Sequence, residues 1–109
     1  MKRHIRFRRT PREDIIDIAD YLAGNAPPSV GVRFSRAVNQ TLKSVAAQPG
    51  IGKPRNFGPQ LPGLRSTSVA GFAKYLIFYC TTDDAIDVVR IVYGGRDLDA
   101  LFRDDPDPI

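Results

Sequence analysis

The sequence predicts an α+β fold in which a helix hairpin packs on a small antiparallel sheet, in the order β-α-α-β-β-β followed by a short helix. Two observations support this fold class. Three apolar runs, at 64–69, 75–80 and 86–93, are joined by short turn-forming segments, and short joints connect antiparallel neighbours. Upstream, two long stretches carry apolar residues at helical spacing, and each stripe needs a surface to cover.

The first half of the chain is predicted to form a strand and two antiparallel helices. Residues 4–8 alternate between polar and apolar side chains, which is typical of a strand with one buried face. Thr10-Pro11-Arg12-Glu13 predicts a capping box at the start of the first helix, and Gly24-Asn25 predicts its end. The second helix is expected between Pro27-Pro28 and residues 48–50. A joint of about four residues makes the two helices antiparallel.

The segment that follows the second helix is predicted to be irregular, whereas the last strand is predicted to be regular and buried. Residues 49–63 hold four Gly and four Pro, so no regular element is predicted there. Both faces of the last strand are largely apolar, which predicts a central strand covered on both sides. Strict alternation places Ile86, Val88, Arg90 and Val92 on one face. Arg90 must therefore find a carboxylate, reach the sheet rim or face a polar groove. Finally, the segment from 98 to 102 predicts one more helical turn.

Length and composition limit the possible classes of protein. The 109 residues fit one domain, taken as 1–103, and the acidic residues 104–109 are predicted to be disordered. With Cys80 as the only cysteine and His4 as the only histidine, an internal disulfide and a structural zinc site are excluded. No metal and no cofactor are expected. No apolar run reaches the roughly 18 residues of a membrane span, so a cytoplasmic protein is expected.

Basic and aromatic residues are the candidates for binding, because the usual catalytic motifs are absent. No Ser-His-Asp or Cys-His set and no phosphate-binding glycine loop is present. Residues 1–12 carry six Lys or Arg and no acid, which suits either a protected sheet edge or an acidic partner. Arginines near tyrosines bind phosphate, stack on bases or anchor protein interfaces. Those expected to converge on an open face of the sheet are Arg65, Lys74, Tyr75, Arg90, Tyr93 and Arg96.

Three segments of the predicted sheet carry a family resemblance: LRS at 64–66, FAKYLIFY at 72–79 and VVRIVYGGRDL at 88–98. They resemble the RelE/ParE superfamily of toxins from type II toxin–antitoxin systems, and the resemblance extends over residues 3–102. It implies a small cytosolic toxin that is neutralised by an antitoxin, a ParD-like protein of the ribbon-helix-helix class, whose extended segment wraps around it.

One branch of this superfamily, the RelE-like toxins, cuts messenger RNA on the ribosome without a metal. Such chemistry needs a base for the ribose hydroxyl proton and cations for the phosphate. Among the positions that the resemblance assigns to this work, only Arg96 clearly matches. The final tyrosine is replaced by Phe102, which cannot transfer a proton. If the chain is a nuclease, its catalytic candidates are Lys74, Tyr75, Tyr93 and Arg96.

The other branch, the ParE-like toxins, is favoured by the YLIFY strand and the Gly-x-Arg-Asp-Leu segment. Members of this branch poison DNA gyrase by binding, so no catalytic set is required. An inactive homologue that only binds its antitoxin is a further alternative. The candidate target contacts are Arg65, Lys74, Arg90, Tyr93 and Arg96. The candidate antitoxin contacts lie on the helix hairpin and the sheet edge: Ile15, Ile18, Leu22, Phe34, Val38, Arg6 and Arg8.

Overall fold

A computed structural model describes residues 3–103 and shows three helices packed on a five-stranded mixed sheet. This confirms the predicted α+β class. The predicted disordered tail, 104–109, lies outside the described residues. The elements in chain order are β1 (His4–Phe7), α1 (Arg9–Asn25), α2 (Ser29–Ala47), a 3-10 turn (Pro49–Ile51), β2 (Lys53–Pro54), β3 (Arg65–Val69), β4 (Phe72–Thr81), β5 (Ala85–Tyr93) and α3 (Leu98–Arg103).

The sheet has the strand order β1-β5-β4-β3-β2. Strands β3, β4 and β5 form the predicted antiparallel meander, and the turn between the first two uses Gly71 at a positive φ of 78°. The expectation of an entirely antiparallel sheet is wrong for β1, which pairs in parallel with β5. Parallel pairing is possible because β1 and β5 are separated along the chain by the helix hairpin and by strands β2 to β4, a connection far longer than a tight turn. Strand β5 lies between β1 and β4, so it is an interior strand as predicted, although β1 pairs only with its first half.

The first helix begins earlier than the predicted capping box. It starts at Arg9, after Arg8 in the N-cap position, and that cap makes no side-chain hydrogen bond. Arg8 is fixed to the sheet instead: its backbone N–H donates to the Val88 carbonyl at 3.4 Å, and its Nη2 lies 3.2 Å from Oδ2 of Asp87. The chain consequently enters the helix directly from the strand, and Thr10 is a helical residue. The predicted end at Asn25 is confirmed.

The two long helices form the predicted hairpin and cover one face of the sheet. A side chain at Gly31 would place its Cβ 2.6 Å from the carbonyl oxygen of Ala19, so glycine permits the close approach of α1 and α2. The apolar stripe of α2 provides the centre of this core, where Phe34, Val38 and Leu42 are fully buried. Burial of such side chains supplies about 1.5–3 kcal/mol each relative to exposure.

The segment 49–63 contains regular structure, contrary to the prediction. Besides its 3-10 turn, it contributes β2, which pairs antiparallel with β3. The side chain of Tyr79 fixes this segment to the sheet: the Gly52 N–H donates to its hydroxyl at 2.9 Å, and that hydroxyl donates to the Pro49 carbonyl at 2.7 Å. Local glycine and proline content gave no sign of these long-range contacts.

The second face of the sheet is covered, so the expected open face does not exist. The ring of Phe57 stacks on that of Phe102 from α3, with centroids 4.7 Å apart, and Phe102 meets Phe78 of β4 edge-on at 4.8 Å. Leu61, Leu64 and other apolar residues complete this second core. The side chain of Phe57 thereby holds the 49–63 segment against the sheet.

A bulge in β5 breaks the predicted alternation of its faces. Val88 pairs with Tyr79 and Arg90 pairs with Phe78, so Val89 is an additional residue on this strand. As a result Val88 and Ile91, three residues apart, both pack in the core under the hairpin, whereas Val89 and Val92 pack in the opposite core. The position of Arg90 is set by this bulge and not by simple alternation.

Candidate functional site

Three of the predicted target contacts lie together at one end of the β4–β5 pair: Lys74, Tyr93 and Arg96. The Gly94 N–H donates to the Lys74 carbonyl at 2.7 Å, and the Arg96 N–H donates to the Tyr93 carbonyl at 3.2 Å. These bonds turn the chain at the end of β5 and bring the backbones of the three residues close. Because Lys74 precedes Tyr75 in β4 and Tyr75 pairs with Tyr93, the side chain of Lys74 lies on the face of the sheet opposite Tyr93. All three are exposed, and Tyr93 retains 46% of its accessible surface.

A cleft of about 480 Å³ separates α1 from this end of the sheet. Three tyrosines line it: Tyr21 comes from α1, Tyr75 from β4 and Tyr93 from β5. The rings of Tyr75 and Tyr93 meet edge-on with centroids 5.8 Å apart. Burial raises the pKa of the Tyr75 hydroxyl, and the neighbouring Tyr21 and Tyr93 hydroxyls raise it further. The other lining residues are Asp14, Asp17, Ile18, Ile91, Val92 and Arg96.

Arg90 is paired with a carboxylate, which is one of the three environments predicted for it. Its Nε lies 2.8 Å from Oδ2 of Asp14 and its Nη2 lies 3.0 Å from Oδ1, so the pair is bidentate. The same carboxylate accepts the Ile91 N–H at 3.0 Å, on the side of β5 where β1 has already ended. Arg90 is only 8% exposed. This geometry argues against direct target contact and for a role in joining α1 to β5.

Arg65 is also engaged inside the protein and does not join the exposed cluster. Its Nη1 donates to the Gly52 carbonyl at 2.6 Å and to the Gly50 carbonyl at 3.4 Å. In the sheet it pairs with Tyr79, whereas the cleft lies at the Tyr75 end of β4. Burial raises the pKa of the Tyr79 hydroxyl, while its bond to Gly52 and the charge of Arg65 act in the opposite direction.

The residues predicted to contact an antitoxin mostly face the protein's own core. Phe34 and Val38 have no accessible surface, and Arg8 is paired with Asp87, whereas Arg6 is exposed. The remaining three pack, partly buried, against the sheet: Ile15, Ile18 and Leu22. The exposed apolar residues of the hairpin, which the sequence analysis missed, are Ile16, Tyr21 and Val32. Their exposure could have been predicted, because they lie off the apolar stripes of α1 and α2 that face the core.

The position expected for a nuclease tyrosine is a core position. Phe102 is 1% exposed and packs between aromatic rings of the second core. No group of three or more His, Cys, Asp or Glu side chains that could hold a metal ion occurs among residues 3–103. Within the same range, none of the helices is both long and apolar enough to cross a membrane.

Comparison with known proteins identifies the family. Residues 5–98 match the model of the ParE toxin of type II toxin–antitoxin systems, parDE. The chain belongs to this toxin family. The ParE-like branch that the sequence resembled is thereby confirmed.

Individual relatives agree with the family. The chain is 25% identical over 101 residues to Toxin ParE2 of Mycobacterium tuberculosis, in strains CDC 1551 and H37Rv, which covers 93% of this chain and 90% of the relative. Its fold is similar to a chain from the chromosomal ParDE system of P. aeruginosa, with a TM-score of 0.70 and 17% identity. That likeness covers 84% of this chain and 96% of the other.

Proposed function

We propose that this ParE-family toxin inhibits DNA gyrase by binding to it, without a catalytic step of its own. The observation that carries the proposal is the exposed pair Tyr93 and Arg96, which lines a cleft at one end of the sheet. Arginine and tyrosine are among the residues that most often dominate the energy of protein interfaces. Gyrase is a cytoplasmic target, so the toxin acts in the cytoplasm.

The alternative of a RelE-like nuclease finds little support in the arrangement of side chains. Phe102 offers no proton-transfer group and is buried in an aromatic cluster. Tyr75 has a hydroxyl whose pKa is raised, which makes it a weaker acid than an ordinary tyrosine at neutral pH. A binding mechanism requires neither group to transfer a proton.

The second partner is a cognate ParD-like antitoxin. We infer that it lays an apolar segment across the outer surface of the hairpin, where Ile16 is 60% exposed and Val32 is 54% exposed. The exposed Arg6 on the edge strand β1 is suited to acidic residues of the same antitoxin. These residues replace Phe34 and Val38 as the proposed anchors.

The target surface is tested with purified toxin, gyrase, ATP and relaxed plasmid. Wild-type toxin should abolish supercoiling, and Arg96→Ala should need at least about tenfold more protein for the same effect, because it removes an exposed interface arginine. Arg36→Ala is the matched control, since Arg36 is also an exposed arginine but lies on α2. Equal potency of the two variants would show that Arg96 is not part of the surface that binds gyrase.

Two outcomes would favour the other candidate functions. Messenger RNA cleavage within minutes of toxin induction, with gyrase unaffected, would support the nuclease. Overproduction of soluble, folded protein without any growth defect would support an inactive homologue that only binds its antitoxin.

The antitoxin surface needs a separate pair of variants. Ile16→Glu should weaken antitoxin binding and leave gyrase inhibition intact, because it changes only the outer surface of the hairpin. Ile51→Glu is the control, since Ile51 is also an exposed isoleucine, at 47%, but lies after α2 in the 3-10 turn. Unchanged antitoxin binding by Ile16→Glu would refute this placement.

A further inference from the structure

From Glu13 onwards α1 carries only acidic charges, although the chain as a whole has a net charge of +4. Residues 13–25 contain four Asp or Glu and no Lys or Arg. Glu13, Asp17 and Tyr21 follow one another at i, i+4 spacing, so they share one side of the helix, and all three are exposed. Two of them, Asp17 and Tyr21, also line the tyrosine cleft. The acidic surface and the cleft are therefore continuous.

The polar groups of this cleft are available to a ligand. Within residues 3–103, the carboxylate of Asp17 and the hydroxyls of Tyr21, Tyr75 and Tyr93 make no hydrogen bond to another residue. The volume of about 480 Å³ lies within the range of about 300–1,000 Å³ that is typical of small-ligand sites. Aromatic faces attract cations, phenol oxygens accept hydrogen bonds, and the carboxylate adds a negative charge.

We propose that the cleft binds an arginine side chain presented by the toxin's protein target, with its guanidinium against the rings of Tyr75 and Tyr93 and paired with Asp17. A guanidinium is planar, stacks on aromatic rings and carries five donors, so it uses the rings and the acceptors together. A lysine ammonium lacks the planar stacking surface and is more strongly hydrated. Because the arginine belongs to the target, this inference rests on the proposed function for the partner's identity.

The protein's own cations near the cleft are compatible with this occupant. The charge of Arg90 is compensated by Asp14, which it contacts through two hydrogen bonds. Arg96 also lines the cleft, but it is exposed, and its long side chain can keep its charge in solvent. Its removal should consequently tighten the binding of a cation in the cleft. A cleft built to bind an acidic ligand through Arg96 would respond in the opposite direction.

The test is a titration of the full-length toxin, followed by NMR of the tyrosine ring protons, with the capped amino acid Nα-acetyl-arginine methylamide. The rings of Tyr21, Tyr75 and Tyr93 should shift saturably, with a dissociation constant in the millimolar range. The capped lysine should bind about threefold more weakly, because it stacks less well. Capped norleucine and capped glutamate should cause no saturable shift.

Variants locate the binding site. Asp17→Asn should raise the dissociation constant for capped arginine about threefold, which is the size of one exposed ion pair. Tyr93→Leu should raise it by a similar factor, because one cation–π contact is lost. Arg96→Ala should lower it. Asp83→Asn is the matched control, because Asp83 is an exposed acid in the turn after β4, and its affinity should equal that of the wild type.

Three results would overturn the inference. They are the absence of saturable binding by capped arginine, arginine binding that is unchanged in both Asp17→Asn and Tyr93→Leu, and preferential binding of capped glutamate that is lost in Arg96→Ala. The titration contains no gyrase, so its outcome is separate from that of the supercoiling assay. A toxin that binds capped arginine in the cleft but leaves gyrase active would refute only the proposed function.

Discussion

Replacing Asp14 by alanine removes the three hydrogen bonds that join α1 to the outer edge of β5. Asp14 contacts Arg90 at 2.8 and 3.0 Å and the Ile91 N–H at 3.0 Å, and the paired side chains are only 12% and 10% exposed, respectively. The substitution leaves the guanidinium of Arg90 buried without its counter-charge. Loss of one partner from such a buried pair typically costs about 3–5 kcal/mol.

Urea unfolding followed by circular dichroism measures this loss. With a slope of about 1.5 kcal/mol per molar urea, the midpoint should fall by about 2–3 M. Asp17→Asn is the control, because Asp17 is an exposed acid one turn further along α1, and the substitution should change the free energy of unfolding by less than about 0.5 kcal/mol.

The double replacement of Asp14 by leucine and Arg90 by methionine should recover much of the loss, since no buried charge remains. A loss below about 1 kcal/mol for Asp14→Ala would show that the pair behaves as a solvent-exposed one, and the structural role of Arg90 would be refuted.

Two substitutions and one thiol-modification experiment test the packing of the two cores. Phe102→Ala should cost about 3–5 kcal/mol in the same unfolding assay, because a fully buried ring is removed, and a cost below about 1 kcal/mol would contradict the placement of α3. Tyr79→Phe should cost about 1–2 kcal/mol, because its hydroxyl joins the Pro49 carbonyl to the Gly52 N–H; an unchanged midpoint would show that these bonds do not hold the segment. Burial raises the pKa of the Cys80 thiol above its usual 9.0, so at pH 8 a thiol reagent should modify it only as fast as the fold opens. Because the thiol ionises at a lower pH in the unfolded chain than in the fold, the contribution of Cys80 to the free energy of unfolding is complete below pH 9. It decreases as the pH rises further. Rapid modification of the folded protein would contradict this burial.

The elements that depend on local pattern were predictable from the sequence. The α2 stripe that includes Phe34, Val38 and Leu42 repeats at helical spacing, and it forms the core that the pattern indicated. The meander followed from short joints between apolar runs. Similarly, Leu98–Arg103 forms the last helix because its apolar residues cover the second face of the sheet.

The features that depend on distant contacts were not predictable in the same way. The parallel pairing of β1 with β5 and the bulge at Val89 are decided by which strands meet, and periodicity does not report that. The pairing of β2 with β3 was hidden by glycine and proline content, because Tyr79 supplies the restraint from another part of the chain. Tertiary context overrides local preference at each of these places.

In the candidate site, too, some features follow from local sequence and others from distant contacts. Lys74, Tyr93 and Arg96 were predicted because they are basic or aromatic residues within or beside the predicted meander. The partner of Arg90 was left open, since any carboxylate satisfied the requirement and only packing selects Asp14. The contribution of Tyr21 to the cleft required the angle between α1 and the sheet, which the sequence does not encode in a local pattern.

The most direct test of the central claim is the supercoiling reaction with purified toxin, gyrase, ATP and relaxed plasmid. Binding without catalysis predicts loss of supercoiled product and accumulation of cleaved DNA trapped by gyrase, both in proportion to the toxin added. A ParD-like antitoxin in excess should restore supercoiling. Full supercoiling activity at a large molar excess of folded toxin would contradict gyrase as the target.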